Sequence, residues 1–282
     1  MNHKKEVLPQ SEKEWLKTGK FIISSTTILG NQIRYALTNS AETSLLVTMV
    51  GGIPRDPERR KKLPLINKLY GLMAVRLVDC NANSLLYNQP ATGESSGNWD
   101  YETINTRSDT LANLIKYIGR SFGCKNHVIV GSSAGAYMAV KSLDVIKKSK
   151  NAVGKLILIS PAAYPLEIEE VPYGNEFTKI ICTPWDVARS PIFNRLEHFV
   201  KGGGSLLISF FESDDPPIPN YIQQYYCEFA RKLIAQKYDV QLVTIPGVKH
   251  NFRRINSSDH NNIVDNASIR ATADKFLDFM CN

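Results

Sequence analysis

No apolar run in this 282-residue chain approaches the roughly 18 residues that a membrane-spanning helix needs, so insertion by such helices is excluded. Cysteine is scarce and scattered. Cys80, Cys124, Cys182, Cys227 and Cys281 are odd in number and include no Cys-x-x-Cys pair. That argues against a disulfide framework and against a structural zinc site. Internal repeats, low-complexity stretches and Gly/Ser linkers are missing too. Met1-Asn2-His3-Lys4-Lys5-Glu6 leads into Gln10-Ser11-Glu12-Lys13-Glu14 and not into an apolar segment. A secretory signal is therefore not expected, and the cytoplasm is the expected compartment.

What the chain does contain is ordinary globular composition, 43% hydrophobic and 22% charged. A chain of this size can bury most of its apolar surface in one core. Lys and Arg number 34 against 27 Asp and Glu, a formal charge of +7. The excess is scattered except at Arg59-Arg60-Lys61-Lys62. Motifs for nucleic-acid recognition are absent, so the expected partner is a small molecule and not a nucleic acid. The basic cluster could instead draw an anionic substrate.

The order of elements is informative. Residues 1–19 read as a polar lead-in. Strands are expected at 21–29 and 32–37 as a hairpin, then at 45–50, 74–78, 128–130, 156–159, 206–210 and 240–245. Helices are expected at 59–72, around Leu111, Leu114, Ile115 and Ile118, and at 134–146, 221–236 and 267–280. Residues 80–99 read as a polar loop, and 166–204 as an irregular insertion that would form a small cap. A hairpin followed by strand–helix alternation means one α/β domain. Its mostly parallel, eight-stranded sheet would carry helices on both faces.

In that frame His127-Val128-Ile129-Val130-Gly131-Ser132-Ser133-Ala134-Gly135-Ala136 is a strand running into Gly-x-Ser-x-Gly and then a helix. The spacing has a physical cause. A serine on a sharp strand-to-helix turn stands exposed at the end of the sheet, and small residues at Gly131 and Gly135 let the turn pass its neighbours. A serine hydroxyl needs a base, and the base needs an orienting acid. The expected chain order is Ser, then Asp or Glu, then His. Of five histidines, only His250 and His260 come late. His250 follows a strand in a Gly-containing loop and is preferred over His260, which sits in a polar stretch. Glu212-Ser213-Asp214-Asp215-Pro216-Pro217-Ile218-Pro219 supplies the acid. Asp215, beside the stiff proline segment, is preferred, with Asp214 the close rival. Oxyanion donors are expected from Ala134 N–H and from Ile53 or Gly52 in Val50-Gly51-Gly52-Ile53-Pro54.

These segments together resemble the α/β-hydrolase superfamily, and most resemble its serine aminopeptidase and monoacylglycerol-lipase-like branch with a small cap. Gly51-Gly52-Ile53-Pro54 stands where that family often has His-Gly-x-Pro. Gly93-Glu94-Ser95-Ser96-Gly97-Asn98-Trp99, with Arg107 and Asp109 after it, resembles a Gly-x-Ser-x-Gly loop and its following helix. Asp215-Pro216-Pro217-Ile218-Pro219 resembles the acid segment and Gly247-Val248-Lys249-His250 the base segment. The resemblance implies an α/β-hydrolase fold over roughly residues 20–280. It also implies a serine hydrolase, carboxylesterase-like, that needs no metal or organic cofactor. The substrate would be an acyl ester, amide or thioester. Acyl transfer or thioester cleavage in a biosynthetic pathway is the alternative, and a non-catalytic ligand-binding member of the fold a second. Tyr164, Tyr173, Phe177 and Trp185, near the insertion, are aromatics that could line an acyl pocket.

Overall fold

The computed structural model describes residues 11–38, 43–52, 56–146, 152–214, 218–250, 253–254 and 266–281. After a short helix α1 (Glu12–Leu16), strands β1 (Ile22–Ile28) and β2 (Asn31–Thr38) form the expected antiparallel hairpin. Strand β3 (Leu45–Val50) follows. Then come helices α2 (Pro57–Lys61) and α3 (Lys68–Asp79), strand β4 (Asn83–Tyr87) and helix α4 (Ile104–Ser121). Strand β5 (Asn126–Ser132) leads into α5 (Ala134–Ile146), and β6 (Ala152–Ile159) comes next. Two helices, α6 (Asn175–Cys182) and α7 (Pro191–Lys201), precede β7 (Ser205–Ser213). The chain closes with α8 (Asn220–Ala235), β8 (Val240–Lys249), the two-residue β9 (Arg253–Arg254) and α9 (Asn266–Cys281).

The strands lie in one sheet in the order β1-β2-β4-β3-β5-β6-β7-β8-β9. The six from β4 to β8 are parallel, and the hairpin and β9 run antiparallel at the edges. Eight strands match the expected number; β9 is a short addition at the far edge. Successive side chains of a strand point to opposite faces, and here both faces are apolar. Ile129, Leu156, Leu158, Leu206 and Ile208 pack under α4, α5, α7 and α8, whereas Val128, Val130, Ile157, Ile159 and Leu207 pack under α3 and α9. Each such fully buried aliphatic side chain contributes about 1.5–3 kcal/mol.

Two expectations are corrected. Residues 74–78 are not a strand but the second half of α3, and the strand beside β3 is β4, inside the stretch read as a polar loop. Asn67 accepts a hydrogen bond from Tyr70 N–H and starts the helix there, beyond Pro64, so the helix expected at 59–72 is two separate helices. Leu69, Met73 and Leu77 then fall on one buried stripe at helical spacing, joined by Tyr70 and Ala74. Val75 and Val78, which suggested a strand, lie on the half-exposed side. Strand β4 looked polar because it begins Asn83-Ser84, yet all five of its residues are buried. The Ser84 hydroxyl lies 2.8 Å from that of Thr38, which also accepts from Ser84 N–H at 2.9 Å. The insertion is not irregular throughout: α7 packs on α5 within the helical layer.

His127, on β5, is 1% exposed, and neither ring nitrogen has a partner among the described residues. Burial pushes its pKa down from the usual 6.5 to about 4. The unfolded chain therefore takes up this proton first as the pH falls. Stability contributed by the neutral ring is present above pH 6.5 and lost between about 6.5 and 4, by about 3 kcal/mol. His127→Leu should flatten the pH dependence of unfolding free energy across that window relative to the wild type. Parallel curves for the two proteins would contradict it.

Candidate active site

Ser133 sits between β5 and α5 with φ of +54°, a left-handed conformation rare for a side chain other than glycine. Such a residue costs of order 1–3 kcal/mol and persists only where its surroundings hold it. Here Ser133 N–H donates to Ile159 C=O at 2.9 Å, and Ser133 C=O accepts from Ala136 N–H at 3.0 Å and Ala162 N–H at 3.2 Å. The two flanking glycines are required by close approach. A Cβ on Gly131 would stand 2.6 Å from Ala136 Cα, and one on Gly135 would stand 2.5 Å from both Val50 O and Gly51 O. The strand-to-helix turn is thus wedged against the end of β3, and Ser133 stays half-exposed at the carboxyl end of the sheet.

Ala134 opens α5, so its N–H is among the first of the helix, which have no partner within the helix itself. Gly52 abuts the serine: a Cβ placed on it would lie 3.1 Å from Ser133 Cβ and 3.5 Å from Ser133 Oγ. Ile53, the other expected donor, lies outside the described residues.

The acidic partner of the histidine is Asp214. Its Oδ1 lies 2.7 Å from His250 Nδ1, and the carboxylate is 1% exposed. The preferred residue, Asp215, lies outside the described residues; the rival expectation is the one that meets His250. Glu212, the third carboxylate of that segment, instead accepts from Gly247 N–H at 2.6 Å and ties the last residues of β8, just before His250, to β7. The physical reason for Asp214 is its position directly after β7, where Phe211 N–H reaches its Oδ2 at 2.8 Å. His250 also meets Phe211 edge-on, with ring centroids 5.8 Å apart.

One residue of the arrangement was missed. Ser160 follows β6 with φ of +45° and donates from its hydroxyl to Asp214 Oδ2 at 2.6 Å. It thereby bridges two halves of the site, because Ser133 N–H is bonded to the preceding residue, Ile159. The sequence signal was faint: a lone serine ending an apolar strand next in line to β5. His250 Nδ1, Asp214 and Ser160 therefore form one hydrogen-bonded row across the carboxyl ends of β8, β7 and β6, adjoining Ser133 at the end of β5.

Of the aromatics, Tyr164 and Phe177 meet edge-on at 5.8 Å, Tyr137 of α5 lies 5.1 Å from Tyr164, and Tyr173 lies 4.7 Å from Phe177. Trp185 is partly buried against the same core. The segment after β6 is thus tied to α5 by rings. Among the described residues no group of three or more His, Cys, Asp or Glu could hold a metal ion, and no helix is long and apolar enough to cross a membrane.

No protein-family model matches the chain, and no curated protein does. Solved structures do match over nearly its whole length. The ferulic acid complex of Est1E from Butyrivibrio proteoclasticus has a TM-score of 0.62 at 14% identity, over 91% of this chain and 97% of that one. An alpha-beta serine hydrolase homologue from Coxiella burnetii has a TM-score of 0.58 at 14% identity, over 92% and 97%. XC6422 from Xanthomonas campestris, described as an a/b serine hydrolase without lid, has a TM-score of 0.54 at 14% identity, over 87% and 88%. With this sheet order and these neighbours, the chain has the α/β-hydrolase fold.

Proposed function

We propose that the protein is a serine hydrolase, carboxylesterase-like, acting through an acyl-enzyme. The observation that carries this reading is the 2.7 Å contact of Asp214 with His250 Nδ1, beside a serine held left-handed on a strand-to-helix turn. An ionised Asp214 can only accept, so the imidazole proton sits on Nδ1 and the Nε2 lone pair is left to serve as base. Ser133 Oγ attacks the acyl carbonyl as its proton passes to Nε2. The N–H groups of Ala134 and Gly52, with Ile53 as the alternative to Gly52, receive the charge on the carbonyl oxygen. His250 then returns the proton to the leaving alkoxide. Water, deprotonated in turn by His250, releases the acid and restores Ser133.

Neighbours of the same fold support this reading. They include a structure with ferulic acid bound and a membrane phospholipase A. We assign Tyr164, Phe177 and Trp185 to the wall facing the acyl group, because their cluster adjoins Tyr137, four residues along α5 from Ser133.

A fluorophosphonate probe tests the proposal. Peptide mapping should find one equivalent of phosphonate on Ser133, and none on Ser133→Ala. Absence of label on the folded wild-type protein, or label on Ser132 in its place, would sink it.

A further inference from the structure

The buried pair Gln89–Arg107 lies behind the proposed oxyanion loop, and nothing in the triad uses it. Gln89 Nε2 donates to Gly51 C=O at 2.7 Å, while Gln89 Oε1 accepts from an Arg107 guanidinium nitrogen at 3.1 Å. Arg107 is wholly buried and Gln89 is 4% exposed. We infer that Gln89, oriented by Arg107, is a positioning residue that aims the Gly52 N–H at the oxyanion. This deepens the serine-hydrolase reading and rests on it.

A guanidinium has only donors, so the end of the Gln89 amide that faces Arg107 must be its oxygen. That fixes which way round the amide stands and delivers its NH2 to Gly51 C=O. The guanidinium cannot drift: a second nitrogen donates to Pro90 C=O at 2.6 Å, Nε lies 3.5 Å from Glu102 Oε2, and the group sits 4.9 Å from both the Trp99 and Tyr173 ring centres. The peptide unit is planar and trans, so pinning the Gly51 carbonyl sets the Gly52 N–H in the opposite direction. Finally, Gly51-Gly52 is a link that rotates with little steric resistance, so its direction has to be imposed from outside. Gly135 packs against Gly51 O from one side and Gln89 holds it from another. An oxyanion donor is effective when it needs no reorganisation as charge develops, and this brace supplies that.

Gln89→Glu separates the positioning role from a structural one. The carboxylate keeps the size of the side chain and pairs with Arg107 by charge, but presents an acceptor to the Gly51 carbonyl. The wild type is first shown to carry phosphonate on Ser133, since failure there overturns the hydrolase reading itself. With that in hand, Gln89→Glu should melt no lower than the wild type. Its kcat on a p-nitrophenyl ester should fall about 10–100-fold with KM nearly unchanged, short of the 10²–10³ for a deleted donor. Its affinity for a trifluoromethyl ketone, which forms the tetrahedral adduct, should weaken by a similar factor. Gln89→Met, which removes the donor without adding charge, should show the same kcat-selective loss and serves if the glutamate variant does not fold. Wild-type kcat in a folded variant, a loss confined to KM, or failure of both variants to fold would overturn the inference.

Discussion

Asp214→Asn should lower kcat by about 10⁴ at neutral pH, while Asp215→Asn should stay within a few-fold of the wild type. The size of the first effect follows from the two other donors on that carboxylate. Ser160 Oγ and Phe211 N–H both point at Oδ2, at 2.6 and 2.8 Å. In the amide variant the single remaining oxygen stays with these two donors, because an NH2 group there would oppose both. The NH2 therefore turns to His250 Nδ1, which must accept. The imidazole proton is displaced to Nε2, the nitrogen that has to receive the proton of Ser133. The variant thus has an intact shape and the wrong tautomer. Ser133→Ala, which removes the nucleophile outright, should cost as much or more, on the order of 10⁶. Steady-state rates on a chromogenic ester check all three variants. Retention of a tenth of wild-type kcat by Asp214→Asn, or a large loss in Asp215→Asn, would overturn the assignment.

The contrast between those two aspartates shows where sequence reading reached its limit. Ser133 was legible because a strained turn demands small neighbours at fixed spacing, and Gly131 and Gly135 announce it. His250 was legible through chain order. The choice between adjacent carboxylates was not, because it depends on where β7 stops and on a hydrogen bond from Phe211 N–H, neither of which leaves a pattern in composition. Ser160 left only a faint mark, a lone serine ending an apolar strand, and Gln89 left none, because they act through residues distant in the chain: Asp214 for the first, Gly51 and Arg107 for the second. The strand β4 was lost to its own polar start, since Ser84 is buried only because Thr38 of β2 lies opposite. The helix α3 was cut short because β-branched Val75 and Val78 imitate a strand locally, while the buried stripe through Leu69, Met73 and Leu77 needs a twelve-residue view. Periodicity and motif spacing reported most of the sheet and the turn that carries Ser133; pairing across the sheet determined the rest.

Glu169→Ala should destabilise the protein by about 3–5 kcal/mol, the cost of leaving buried charges without their partner. Glu169 is 4% exposed, in the short helical turn after β6. It accepts from Tyr137 OH at 2.7 Å and Lys141 Nζ at 2.5 Å, both on α5, and from Arg195 of α7 at 2.6 Å. Burial alone would raise its pKa, but the hydrogen bonds from Arg195, Lys141 and Tyr137 outweigh it and hold the group below its ordinary value. Truncation leaves a phenol and an ammonium group facing a cavity, and Arg195 with only the half-exposed Asp144, 2.9 Å away. At about 2–4 °C per kcal/mol for a domain approaching this size, the melting temperature should drop by roughly 10 °C. The sign is specific to an uncompensated charge. Replacing Glu169, Lys141 and Arg195 together with methionine removes both cations along with the anion, and should recover most of the loss. The pH dependence has the same origin. A carboxylate with a lowered folded pKa contributes stability above its unfolded value near 4.3, and that contribution disappears as the pH falls through the folded one. Wild type should therefore lose its advantage over Glu169→Ala at acid pH. Thermal unfolding of the three proteins at pH 7 and pH 3 decides the matter, and a Glu169→Ala cost under 1 kcal/mol at pH 7 would reduce the cluster to a solvent-screened set of ion pairs.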